Sequence, residues 1–141
     1  MRPLRDIVAA GLAGAAVSGL PSTAYSLHKG DDVLESGRAA GAIMLPHETR
    51  TPVLLAAGAL LHLVISLGWA GVLGALIPRR REPAYGLAAG LAIAALDLVV
   101  IGRRLPAIRA LPQGRQWADH VAYGLAVGAT LARCRRVDSR A

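Results

Sequence analysis

Long stretches without a formal charge constrain this chain more than any other feature of its sequence. Between Arg50 and Arg79 lie 28 consecutive residues that include no Asp, Glu, Lys or Arg, and the interval from Asp6 to Lys29 encloses 22 more. A helix that crosses a bilayer needs about 20 mostly apolar residues, within a range of roughly 17–25. Both intervals meet that requirement, so the sequence predicts an integral membrane protein.

Two further apolar runs are each interrupted by a single carboxylate. The 20 residues between Glu82 and Arg103 contain only Asp97, and the 17 residues between Arg115 and Arg133 contain only Asp119. Both are long enough to cross a bilayer, the second at the lower limit. The predicted fold is therefore all-α: a polytopic integral membrane protein formed by one four-transmembrane-helix bundle over residues 1–141. The predicted spans cover residues 6–27, 52–77, 84–102 and 116–132.

The connection between the first two spans is too long for a tight turn. Within it, Asp32 and Glu35 have the spacing of a capping box, and Pro46 would end a helix that begins there. The sequence thus predicts a short amphipathic helix over residues 32–45, on the membrane surface or packed over the bundle. Pro21 predicts a kink in the first span, because proline removes a backbone donor and clashes one turn back.

Charge and composition exclude several classes of protein. The net charge of +7 comes from arginines at the ends of the predicted spans, where lipid headgroups lie, so we expect a lipid bilayer as partner and no nucleic acid. The lone Cys134 excludes an intrachain disulfide and a thiolate metal cluster. No phosphate loop, dinucleotide fingerprint or metal-binding histidine spacing occurs, so we expect no cofactor and no metal. The excess of 15 arginines over one lysine is typical of GC-rich bacterial genomes.

The N-terminal segment raises the question of processing and orientation. MRPLR followed by an apolar run is similar to a signal peptide, but Asp6 and Pro21 are unfavourable for one, so we expect an uncleaved first span. With the N-terminus inside, the inner segments carry nine basic residues and the outer segments seven. The positive-inside rule then favours a location in the inner (cytoplasmic) membrane with both termini cytoplasmic.

Small residues mark the faces through which the predicted spans can associate. In lipid, helices approach closely where glycine or alanine lets their backbones touch. Pairs of glycines four residues apart occur in the third and fourth spans, and we assign them to helix packing: Gly86, Gly90, Gly124 and Gly128.

The polar residues of the spans are expected at one depth. Counted at 1.5 Å per residue, His62, Asp97 and His120 all lie in the half of the bundle that faces the arginine-rich loop after the third span. We predict an intramembrane polar cluster, a candidate ion or ligand site, composed of Asp97, His62, His120, Ser66, Ser18 and Ser22.

Other polar and aromatic residues receive separate assignments. Arg103 and Arg104 are expected to cap the polar cluster and are candidate anion or headgroup contacts. Asp119 is expected near the start of its helix, facing solvent, and Tyr123 is a candidate anchor at the membrane interface together with Trp117.

Two functions remain open for such a chain. A carboxylate in a membrane helix costs about 2.5–3.5 kcal/mol on insertion scales, so Asp97 is either a functional group or an internal brace. The favoured hypothesis is a non-catalytic accessory, assembly or structural subunit that associates with itself or a membrane partner through glycine-rich faces. The alternative is a transporter or channel for a small solute or proton that uses the Asp/His cluster. A lipid-modifying enzyme is a distant third choice. A Ser-His-Asp hydrolase that uses Ser22, His62 and Asp97 is disfavoured, because helical serines lack a nucleophile elbow and an evident oxyanion hole, and we assign no catalytic residue.

Overall fold

The protein is all-helical in the computed structural model, which describes residues 2–138 and contains no strand within that range. The helices, in chain order, are α1 (Leu4–Ser18), α2 (Leu20–Lys29), α3 (Glu35–Met44), α4 (Thr51–Leu76), α5 (Glu82–Ala94), α6 (Pro106–Ala110) and α7 (Gln113–Asp138). Between α5 and α6 the chain forms a π-helix, Ala95–Ile101, and a 3-10 turn, Gly102–Arg104.

Three helical runs of the described chain are long and apolar enough to cross a membrane. They are Leu4–Lys29, Thr51–Leu76 and Glu82–Arg104, and they contain the first three predicted spans. α7, which contains the fourth predicted span, has 26 residues but is not apolar enough to join them. Its first turns carry Gln116, Asp119 and His120, and these polar side chains outweigh the apolar residues that follow.

The first apolar run is broken where its proline predicts a kink. α1 ends at Ser18, Gly19 connects the two pieces, and Pro21 occupies the first turn of α2. Proline has no N–H, and its ring clashes with the carbonyl one turn back, so a continuous helix cannot pass through this position. The backbone groups on both sides of the break consequently need partners from outside α1 and α2.

Glycines bring α5 and α7 into backbone contact. A Cβ atom built on Gly86 or Gly124 would collide with the carbonyl oxygen of the other. Cβ atoms on Gly90 and Gly128 would likewise meet the backbone of His120 and of Glu82. All four glycines assigned to packing thus lie in one intramolecular contact, where no larger residue fits.

α1 lies between α7 and α4 and packs closely against both. Gly14 faces Tyr123 of α7, and Gly11 faces Leu67 of α4. By contrast, α4 and α5 are joined by a short turn but hardly touch along their backbones. Bulky side chains, among them Trp69 and Ile93, occupy the space between them. The helices therefore lie close together where glycines allow backbone contact, and the widest separation of neighbouring helices is between α4 and α5.

The short helix α3 packs antiparallel to the first half of α4. Gly37 lies against Gly58, and Gly41 lies against the backbone of Leu54. Of the two arrangements expected for this helix, the structure shows packing against the helices. It begins later than predicted, at Glu35 rather than residue 32.

The predicted capping box forms only in part. The Asp32 carboxylate accepts a hydrogen bond from the Leu34 N–H at 2.8 Å and also binds the Arg38 side chain. The Arg38 hydrogen bond is the main reason why the pKa of Asp32 lies below its usual value. Glu35 instead lies 3.7 Å from Arg115, so its carboxylate serves a tertiary contact.

Ionic contacts connect the helices at both ends. At one end the Glu82 carboxylate, which is 1% exposed, accepts a hydrogen bond from Arg135 at 2.9 Å and lies 3.8 Å from Arg2. Arg2 also donates hydrogen bonds to the carbonyl groups of Gly74 and Ile77 at the end of α4. At the other end Arg115 donates to Ser26 and Asp31, and its guanidinium lies 5.1 Å from the Tyr25 ring centroid. Neither ionic cluster was predicted from the sequence, because the basic residues were counted to predict membrane orientation and were not paired with carboxylates.

A matched pair of glycine substitutions tests this packing. Gly124→Ala places a methyl group against the Gly86 carbonyl and should lower the free energy of unfolding by about 1–3 kcal/mol, as overpacking does. Gly68→Ala makes the same chemical change where a Cβ meets no atom within 4 Å. It should be neutral or stabilising by up to about 1 kcal/mol through helix propensity. The measurement is unfolding in detergent followed by circular dichroism, and equal effects of both changes would contradict the assigned contact.

Candidate functional site

A cavity of about 320 Å³ lies between α4 and the π-helix, bordered by the break in the first run and by α3, α6 and α7. Its lining includes every member of the predicted polar cluster: Asp97, His62, His120, Ser66, Ser18 and Ser22. His62 and Ile65 line the cavity and are also exposed, so the cavity reaches the molecular surface along α4. The structure thus brings together groups that lie more than 100 residues apart in the chain.

His62 binds a backbone carbonyl group at the end of α1, on one side of the helix break. Its Nε2 atom lies 3.2 Å from the Ala15 carbonyl oxygen and 3.1 Å from the Ser18 hydroxyl. Ser18 also donates to the Ala15 carbonyl at 3.3 Å. Carbonyls in the last turn of a helix lack intrahelical donors, and Ala15 lies in the last turn of α1. The Ser18–His62 contact therefore satisfies the end of α1 and has a structural role.

Asp119 binds a backbone N–H group at the start of α2, on the other side of the same break. Its carboxylate accepts a hydrogen bond of 2.9 Å from the backbone N–H of Ser22, in the first turn of α2. An acceptor at this place acts as a cap that is supplied by another helix, and the positive end of the helix dipole favours its negative charge. The expectation that Asp119 faces solvent at its own helix start is wrong, because its carboxylate lines the cavity and caps α2.

The imidazole ring of His120 lies against the Asp97 carboxylate. His120 Nδ1 lies 2.7 Å from the Gln116 carbonyl oxygen, which can only accept, so Nδ1 carries a hydrogen. The other ring nitrogen, Nε2, lies 3.4 Å from the Asp97 carboxylate. One proton between them gives either imidazolium with carboxylate or imidazole with carboxylic acid. Without that proton, the lone pair on Nε2 of His120 would face a negatively charged carboxylate oxygen of Asp97.

The pair is half-buried and sits on unusual backbone. The side chains of His120 and Asp97 are 22% and 28% exposed. Asp97 lies inside the π-helix, and its carbonyl accepts from the N–H of Gly102, five residues later. π-Helical turns are rare and occur frequently at functional sites. The depth estimate for Asp97 assumed a regular α-helix throughout the third span, so this π-helical segment was not predicted.

Tyr123 closes the inner end of the cavity. Its hydroxyl donates to the Ser66 carbonyl of α4 at 2.6 Å, and the side chain is buried. The expectation that Tyr123 anchors the chain at the membrane interface is therefore wrong. At the outer end, Gln116 donates to Ser36 of α3 at 3.0 Å. Both bonds hold α7 at a fixed distance from its neighbours and keep the cavity open between them.

The arginine loop covers the cavity with apolar side chains, not with its arginines. Ile108 and Leu111 line the cavity, whereas Arg103 and Arg104 are exposed and contribute nothing to its lining. The expected arginine cap over the polar cluster is therefore not present. As a result, the only formally charged side chains in the lining are Asp97 and Asp119, apart from any protonated histidine.

The described residues contain no group of three or more His, Cys, Asp or Glu side chains arranged to hold a metal ion. What the cavity offers instead is one carboxylate beside an imidazole ring, those of Asp97 and His120. Comparison with other proteins adds no analogy, since no family model, curated protein or solved structure matches this chain.

Substitutions at Asp119 test its role as a cap. Asp119→Ala removes the acceptor of the Ser22 N–H and should lower the free energy of unfolding by about 0.5–2 kcal/mol, the usual cost of losing a cap. Asp119→Asn keeps a side-chain oxygen at the same position, so its free energy of unfolding should fall clearly less than that of Asp119→Ala. The free energy of unfolding in detergent measures both. Equal losses for the two variants would show that charge, and not the cap, is what matters at this position.

Proposed function

We propose that this chain is a small multi-pass membrane protein that binds a small solute in its cavity and exchanges that solute for a proton. In this proposal α7 is the fourth span, in addition to the three apolar runs. At 1.5 Å per residue its 26 residues extend about 39 Å, more than the roughly 30 Å of a hydrocarbon core. Its low hydropathy is acceptable in a helix whose polar side chains face protein, as those of Asp119, His120 and Tyr123 do.

The Asp97–His120 pair is the observation that carries this proposal. His62 and Asp119 already have structural partners at the helix break, whereas Asp97 contacts no backbone donor across the bundle. The pair with its proton is neutral overall, which suits a low-dielectric site. Loss of the proton leaves one uncompensated negative charge, and burying such a charge is costly unless another positive group replaces the proton. Binding and proton release are thereby linked.

Association with a membrane partner, as an accessory subunit, is the second candidate. The four glycines first assigned to packing are occupied within the chain, between α5 and α7. Gly68 and Gly71 on α4, however, face open space, and such a small-residue face permits close approach of another helix. A stoichiometric partner that co-purifies from native membranes would support this candidate.

Cysteine labelling tests the fourth span and the orientation together. The single native Cys134 lies near the C-terminal end of α7, and an introduced cysteine at the exposed Ala110 (Ala110→Cys with Cys134→Ala) lies at the end of α6, just before the N-terminal end of α7. If α7 spans, a membrane-impermeant maleimide should reach them from opposite sides, with Cys134 on the cytoplasmic side. Labelling of both from one side would contradict the fourth span. Labelling from opposite sides with Cys134 outside would contradict only the orientation.

Infrared spectroscopy tests the shared proton. Asp97→Asn should fold normally, because its amide can donate to Nε2 of neutral His120 and so keep the contact. The pH-induced difference spectrum of the wild type near neutral pH should contain carboxyl or imidazole bands that the variant lacks. Oligomeric state and helicity should be unchanged.

Glu48→Gln is the matched control for the loss of one acidic group. Hydrogen bonds from Arg50 and from backbone N–H groups lower the pKa of Glu48 to about 2, so this group does not titrate near neutral pH. The control spectrum should equal that of the wild type. An Asp97→Asn spectrum with all wild-type bands would mean that Asp97 only braces the bundle.

A further inference from the structure

We infer that the solute of this cavity is a small organic cation with one positive charge, held by Asp97 and by the face of Trp69. This inference rests on the proposed function and names the chemical class of its ligand. The argument uses charge balance, the character of the lining and the size of the cavity.

Charge balance selects a monovalent cation. The groups that face Asp97 across the cavity are His120 and Asp119 of α7 and His62 of α4. The residues that line the cavity from the helix break, from α3 and from α6 are serine, threonine, glycine or apolar residues. The lining contains no Lys or Arg. Release of the shared proton leaves a single negative charge on Asp97. One positive charge then restores the neutrality of the Asp97–His120 pair, whereas an anion would meet the carboxylates of both Asp97 and Asp119 and no fixed cation.

The lining selects an organic cation over a metal ion. Magnesium and calcium require six or more oxygen ligands, and the described residues provide no cluster of that kind. Apolar and aromatic side chains make up much of the wall, namely Val33, Ile65, Trp69, Ile93, Ile108, Leu111 and Tyr123. An alkylammonium group can pack its carbon atoms against these side chains. An indole face also attracts a positive charge more strongly than any other aromatic side chain does.

The size of the cavity limits the ligand to a small molecule. A volume of about 320 Å³ lies at the lower end of the range of roughly 300–1,000 Å³ that is usual for small-molecule sites. The cavity reaches the molecular surface at His62 and Ile65 on α4, away from the arginine loop. When the cation enters, the proton of the Asp97–His120 pair leaves to solvent, so that the total charge in the cavity stays constant.

Choline and its neutral isostere dimethylbutanol, in which carbon replaces nitrogen, are suitable probes for purified protein. We expect calorimetry to show saturable choline binding with release of one proton, and at least tenfold weaker binding of the isostere. Asp97→Asn should abolish the proton release and weaken choline binding at least tenfold. Glu48→Gln, outside the cavity, should bind choline as the wild type does.

Trp69→Leu and Trp69→Phe test the aromatic contact. Loss of a cation–π interaction should weaken choline binding roughly three- to thirtyfold in Trp69→Leu, and Trp69→Phe should retain part of the affinity. Each variant must keep the helicity of the wild type. Equal affinity of the wild type for choline and its isostere would overturn the cation inference but leave a solute-binding cavity. Absence of binding by both probes would overturn the cation inference and the proposed function together.

Discussion

The break in the first helical run is the constraint on which the site depends. The helix is interrupted at Gly19, just before Pro21, and in the membrane setting that we propose no water would be available for the backbone groups left at the two helix ends. Two side chains from other helices satisfy them: His62 at the Ala15 carbonyl and Asp119 at the Ser22 amide. Irregular backbone is tolerated at membrane depth where it lines a cavity, and Ser18, Gly19 and Ser22 of the break line one.

The distribution of glycine then determines where that cavity lies. Backbone contact between α5 and α7 draws these helices together at Gly86 and Gly124, and Gly14 brings α1 against Tyr123. No comparable contact joins α4 to α5, where Trp69 and Ile93 hold the backbones apart. The open volume follows from this asymmetry: three close helix contacts leave one wide side, and the polar residues of the break lie along it.

Depth and residue type were sufficient to predict that His62, Asp97 and His120 lie together, but they did not predict that Asp119 and Gln116 line the same cavity or how these groups are bonded. His62, Asp97 and His120 lie at one level because regular helices have a fixed rise per residue. The bonds of Asp119 and Tyr123 depend on side-chain direction across a helix contact, which sequence spacing does not determine. Likewise, the buried Glu82 between Arg2 and Arg135 requires knowledge of which helix ends meet. The π-helix around Asp97 has no sequence signal, since its residues are ordinary helix formers and aliphatic side chains.

The contrast between α7 and the other long helices has the same physical origin. A helix that faces lipid must be apolar around most of its surface, whereas one enclosed by protein needs only to satisfy its polar groups. α7 contacts α5, α1 and α2, and its side chains Asp119, His120 and Tyr123 are bonded to α2, to the π-helix and to α4, respectively. Two of these bonds end on backbone groups and cannot change without loosening the fold. The third, between His120 and Asp97, joins two side chains, so it can open without cost to the helix break, and for this reason we place the proposed binding site there.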